Sequence, residues 1–172
     1  MRQFVNKGLA NTVTLFNIIF GSLSLSATME GSYQLAAVFI LLAVVMDTLD
    51  GRVARRLDTV SELGKELDSL CDLVSFGVAP AILVYRHILY TLPLNAGILL
   101  MLFFIVCGAF RLARFNVLNI PDFFVGIPIT SAGILMALMS LSASYIPMPA
   151  AAFIMFLLSF LMVSNIRVKK LK

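Results

Sequence analysis

Charge is scarce in this chain. Only 13% of its 172 residues are charged, whereas 60% are hydrophobic. A soluble domain is usually about 25% charged and about 45–50% apolar even with glycine counted. A chain this short cannot hide so much apolar surface in one core, so the composition argues against a water-soluble domain and for the bilayer as solvent. Histidine is scarcer still. His87 stands alone, which excludes covalent chemistry built on paired histidines. The two cysteines, Cys71 and Cys107, each fall within a predicted helix, and buried packing is expected for both rather than a disulfide. Internal repeats and low-complexity linkers are absent, and no convincing small-residue cleavage site follows the first apolar run, which is expected to be retained.

Long hydrophobic runs fill the space that charge leaves. They cover roughly 12–29, 33–49, 73–84, 92–110, 129–146 and 149–166. A spanning helix needs about 20 residues, so the third run suffices only if its helix begins near Ser61 and carries charge in its first turns. The expected fold is an all-α integral membrane protein of six transmembrane helices, forming a single domain over residues 1–172. With both termini cytoplasmic, 12 of the 13 basic residues lie inside and only Arg86 lies outside, which satisfies the positive-inside rule. Tyr33, Tyr85, Tyr90 and Tyr145 then all land at outer boundaries, where an aromatic belt belongs. Five spans would spoil both patterns. The net charge of +4, mostly on the inner side, suits an anionic leaflet and not nucleic acid.

Against this background the stretch MDTLDGRVARRLDTVSELGKELDSLCDL, positions 46–73, is anomalous. Asp47, Asp50, Glu62, Glu66, Asp68 and Asp72 crowd into it. Asp47, Asp50, Gly51 and Ala54 are spaced i, i+3, i+4 and i+7, and Gly64, Asp68 and Asp72 i, i+4 and i+8. Each set shares one helix face, and the polar turn around Asp58 and Thr59 makes the two helices antiparallel neighbours whose acidic faces converge. An Asp at mid-bilayer costs about 2.5–3.5 kcal/mol, less near the interface, and mutual repulsion adds to that. Two divalent cations would cancel four formal charges, and oxygen-only ligation suits Mg²⁺, Mn²⁺ or Ca²⁺ over zinc. Paired hard cations beside phosphate are the usual arrangement for phosphoryl transfer. Gly51, Ala54 and Gly64 leave a surface without bulk on which a nucleotide could lie, and Arg55 could reach a diphosphate. The carboxylates alone would equally serve a cation or proton transporter. Glu62, Glu66 and Asp58 are expected to form a solvated helix start.

The spacing Asp47-x2-Asp50-Gly51-x2-Ala54-Arg55-x8-Gly64-x3-Asp68-x3-Asp72 resembles the full signature of the CDP-alcohol phosphotransferase family, with eight fixed positions over 26 residues. Ion conduction would not require its Gly-Ala-Arg component. The resemblance implies a multi-pass cell-membrane enzyme, commonly a homodimer, whose cytoplasm-facing site takes two divalent metals and a CDP-linked donor. By matched position it implies Asp47, Asp50, Asp68 and Asp72 as metal ligands, with Asp72 also the general base. It implies Gly51, Ala54, Arg55 and Gly64 as the lining of the cytidine diphosphate site, to which Asn11 and Thr14 resemble the family's N-terminal contribution.

Two further segments, GAFRLARFN at 108–116 and FFVGIPIT at 123–130, are similar to those of family members that use serine, so the likeness covers roughly residues 10–130. It implies CDP-diacylglycerol, or an archaeal ether analogue, and L-serine as substrates, with CMP released. Arg111 and Arg114, spaced i, i+3, either snorkel to the leaflet surface or complement a helix C-terminus, or bind a carboxylate or phosphate with their planar forks. A glycerol-phosphate or inositol-phosphate acceptor would use them equally well, and the acceptor stays open at this point. Phe124, Gly126 and Pro128 are expected to shape a turn at the site entrance. Ser75 shares the Gly64 face and could touch the site, and His87 is expected to be a plain interfacial residue.

Overall fold

A turn of three residues separates the first two helices, Arg2–Met29 and Tyr33–Arg56. Gly31 closes it with a φ of +78°, which costs glycine little. The Gly31 N–H donates to the Thr28 carbonyl at 3.2 Å and the Ser32 N–H to the Ala27 carbonyl at 2.9 Å, the paired bonds of a Schellman cap. The second helix therefore returns along the first. The structure, a computed structural model, describes residues 2–56, 62–118, 123–164 and 167–169, with side chains at positions 12, 14–49, 51–52, 62–117 and 126–164.

The third helix runs from Glu62 to Leu89, so the short third apolar run does borrow its length from the charged segment before it. Two π-helical stretches, Leu73–Val78 and Tyr85–Leu89, interrupt it. Pro80 accounts for the first, because it cannot donate to the Phe76 carbonyl four residues back and its ring crowds that oxygen. A wider turn relieves the clash, and it begins directly after Asp72. The remaining helices are Ala96–Leu118, Ile129–Leu141 and Met148–Val163. The last two end sooner than their apolar runs. A 3₁₀ turn at Ala143–Tyr145 stops the fifth helix, and the sixth stops at Ser164.

Six long helices thus stand in the expected order among the described residues. Among the described residues, the third and fourth are long and apolar enough to cross a membrane, and the other four supply shorter apolar stretches. The all-α expectation holds, with one small addition. Phe123–Val125 and Arg167–Lys169 pair as an antiparallel ribbon, with Phe124 opposite Val168. It ties the segment before the fifth helix to the chain after the sixth. Beside it, Gly126 (φ +75°) is buried so tightly that a Cβ would lie 2.5 Å from the Met162 carbonyl oxygen.

The first helix packs on the second and third, the fifth on the second and third, and the fourth on the sixth. Between them lie fully buried Ala36, Ala37, Ile40, Phe76, Phe104 and Met136. Cys71 and Cys107 are buried free thiols, as expected. Buried hydroxyls turn back on their own helices, with Thr28 Oγ1 donating to the Ser24 carbonyl and Ser159 Oγ to the Met155 carbonyl, both at 2.8 Å. That is how a polar group is satisfied where water is excluded. The outward faces are strongly apolar, with Leu15, Phe16 and Ile19 on the first helix, Leu99, Val106 and Phe110 on the fourth, and Phe153 and Phe160 on the sixth. So much exposed apolar surface calls for a lipid or protein covering.

Candidate active site at the acidic end of the bundle

Asp47 projects from the second helix, and Asp68 and Asp72 from one face of the third. One carboxylate oxygen from each lies within 4.8 Å of the others, and Asp47 is within hydrogen-bonding reach of Asp72. Asp72 is buried, and Asp47 and Asp68 are half-buried. At an effective dielectric of about 20, each pair of ionised carboxylates this close would repel by roughly 3–4 kcal/mol. Three oxygen donors, converging and partly desolvated, fit a hard divalent cation.

Three of the other expected site residues fall within the described side chains. Gly51 and Gly64 are half-buried on the two acidic helices, and Thr14 is buried on the first. The side chains of Asn11, Asp50, Ala54 and Arg55 lie outside the described residues. So does the turn at Asp58 and Thr59.

A cavity of about 550 Å³ opens beside the cluster, lined by Asp68, Ser69, Asp72, Arg111, Asn116 and Pro128 among others. Arg111 enters it from the fourth helix and is electrostatically coupled to Asp72. Its guanidinium carbon sits 5.7 Å from the centre of the Phe115 ring, and its buried Nε has no hydrogen-bond partner among the described residues. Arg114 behaves differently. Its Nη1 donates to the Val163 carbonyl at 3.4 Å, at the end of the sixth helix, and it does not line the cavity. The two arginines thus differ in place: Arg111 lines the cavity, and Arg114 reaches the carbonyl end of the sixth helix. Pro128 and Thr130 bring the start of the fifth helix to the cavity, in line with the expected turn at the entrance.

Several contributors escaped sequence reasoning. Asn17, fully buried on the first helix, donates through Nδ2 to Asp72 Oδ1 at 3.2 Å. A lone amide in an apolar run, three residues after Thr14, was the available signal. Ser75 does not face the cavity; its Oγ donates to the Asn17 carbonyl at 3.0 Å. Asn116 Nδ2 donates to Ser69 Oγ at 3.1 Å and approaches Glu66 at 3.5 Å. Glu66 thus lines the cavity, beyond the role of a solvated helix start. Glu62 lines the same cavity and is paired at 2.8 Å with the exposed Lys65.

His87 belongs to a second cavity, of about 460 Å³, at the other end of the third helix. Its Nδ1 lies 2.9 Å from Ser140 Oγ, and its ring stacks on Tyr33 with centroids 4.3 Å apart. It is a packing residue joining three helices, more than the plain interfacial residue expected.

The family model for CDP-alcohol phosphatidyltransferases matches residues 7–166. The chain belongs to that family. The match extends the likeness read from the signature into the last two helices. The CDP-diacylglycerol–serine O-phosphatidyltransferase of Bacillus subtilis is 43% identical over 157 residues, covering 90% of this chain and 86% of that protein. The enzyme of the same name from Methanocaldococcus jannaschii is 40% identical over 163 residues, covering 94% of this chain and 74% of its own. An archaetidylserine synthase of Methanothermobacter thermautotrophicus is 40% identical over 161 residues, covering 92% and 68%. In family terms, the acidic cluster joins the two halves of the signature, and the cavity beside it is flanked by the later segments GAFRLARFN and FFVGIPIT.

Proposed function

We propose that the protein makes phospholipid by transferring the phosphatidyl group of CDP-diacylglycerol, or of an ether-linked analogue, to the hydroxyl of L-serine, with release of CMP. The observation that carries this reading is the convergence of Asp47, Asp68 and Asp72 beside Arg111, whose buried Nε has no partner among the described residues. The serine in the names of its relatives supports the choice of acceptor.

Asp47, Asp68 and Asp72, joined by Asp50 from the same helix face, would hold two divalent cations, Mg²⁺ or Mn²⁺ with Ca²⁺ also admissible. Bound cations would neutralise phosphate oxygens and lower the cost of forming an alkoxide. The cytidine diphosphate lies along Gly51, Ala54, Arg55 and Gly64, with Asn11 and Thr14 reaching it from the first helix. Arg111 pairs with the serine carboxylate or the lipid phosphate, for which its fork is suited. Asp72 accepts the hydroxyl proton as the serine oxygen bonds to phosphorus and the bond from phosphorus to the CMP oxygen breaks. Arg114 contributes by holding the end of the sixth helix. The whole chain forms one domain of six spans in the cell membrane, with both termini and the active site cytoplasmic, and works as a homodimer.

The test uses purified protein in lipid nanodiscs, CDP-diacylglycerol and a panel of acceptors. CMP release should depend on serine. Release with glycerol phosphate or inositol phosphate, and none with serine, would overturn the choice of acceptor.

A further inference from the structure

Asn17 matches no position of the signature, yet it touches the proposed base. It is fully buried in an otherwise apolar part of the first helix. Its Nδ2 donates to Asp72 Oδ1, while its own Oδ1 has no hydrogen-bond partner among the described residues. A buried amide with an orphaned oxygen is a poor packing choice, because an apolar side chain of similar size leaves nothing unsatisfied. The amide has only one acceptable orientation, since turning it over would set oxygen against a carboxylate oxygen.

The backbone at this point is fixed as well. Ser75 Oγ holds the Asn17 carbonyl at 3.0 Å. One turn later, a Cβ on Gly21 would lie 2.3 Å from Ser75 Oγ and 2.9 Å from Ser75 Cα, so the first helix meets the third at backbone distance. The contact falls on the π-helical stretch that begins after Asp72. Asp72 therefore sits where its own helix is irregular, and a neighbouring helix supplies the fixed reference.

A carboxylate's terminal torsion is soft, and repulsion from Asp47 and Asp68 would turn it away from the cluster. We infer that Asn17 is a positioning residue: its amide fixes the rotation of the Asp72 carboxylate, and so which oxygen faces Asp47 and Asp68. The inference rests on Asp72 serving the proposed transfer.

The experiment uses the full chain in nanodiscs and three variants. Supporting groups of this kind are worth about 10- to 100-fold in activity or metal affinity. Asn17→Ala should lower kcat by that factor, weaken Mn²⁺ binding measured by titration about tenfold, and leave the KM for CDP-diacylglycerol within about threefold. Asn17→Asp keeps the shape but replaces the donor by an acceptor, so its kcat should fall at least as far. Ser75→Ala removes the helix-to-helix bond but spares the amide, and should lower thermal stability while keeping kcat within about threefold. Wild-type kcat and Mn²⁺ affinity in Asn17→Ala would overturn the inference, as would an equal loss of kcat in Ser75→Ala. Weakened Mn²⁺ binding in Asn17→Ala, in a wild type that ignored serine, would uphold the positioning role and reject the proposed acceptor.

Discussion

The third helix has a cavity at each end, and the two are similar in size, about 550 Å³ beside Asp72 and about 460 Å³ beside His87. Their chemistry is opposite. At the acidic end, carboxylates that repel one another face an arginine whose Nε lacks an acceptor among the described residues. At the His87 end, imidazole, hydroxyl and phenol ring meet one another, and among the described residues no Asp, Glu, Lys or Arg lines the space. Volume does not separate a site from a packing defect. Groups whose electrostatics are incomplete without a ligand do.

Substitutions should widen this contrast in a definite order. Asp72→Asn should bind CDP-diacylglycerol yet lose nearly all turnover, and substantial residual CMP release would move the base elsewhere. Arg111→Ala should come next. Loss of a charge-assisted hydrogen bond is worth about 1.5–3 kcal/mol, or roughly 10- to 150-fold in the KM for serine. Arg114→Ala should act mainly on stability, and an equal rise in KM for both variants would reject the distinction between the two arginines. His87→Ala should cost about 1–2 kcal/mol of stability through the lost bond and ring contact, with kcat near wild type. A collapse of serine transfer in that variant would erase the contrast between the ends. Glu62→Gln should do least, since its pair with Lys65 is a surface one.

Much of this arrangement was legible in the sequence. Apolar runs separated by turn residues located six helices, and the 3.6-residue period set Asp68 and Asp72 on one face. What escaped had physical reasons. Strands of three residues, such as Phe123–Val125, are too short to show a period of two. Asn17 and Asp72 are 55 positions apart, and their pairing depends on how closely two helices pack. Arg111 and Arg114 sit 60° apart on one helix, so the edge of the cavity, not spacing, decides which of them faces it. The fifth and sixth helices stop short of their apolar runs because composition marks what can be buried, whereas caps and turns mark where helix ends.

The measurement closest to the central claim is serine-dependent CMP release from purified protein after exhaustive chelation, followed by addition of Mg²⁺ or Mn²⁺. The clustered carboxylates predict that turnover disappears on chelation and returns with the added cation. Full serine-dependent turnover by the chelated protein would contradict the account.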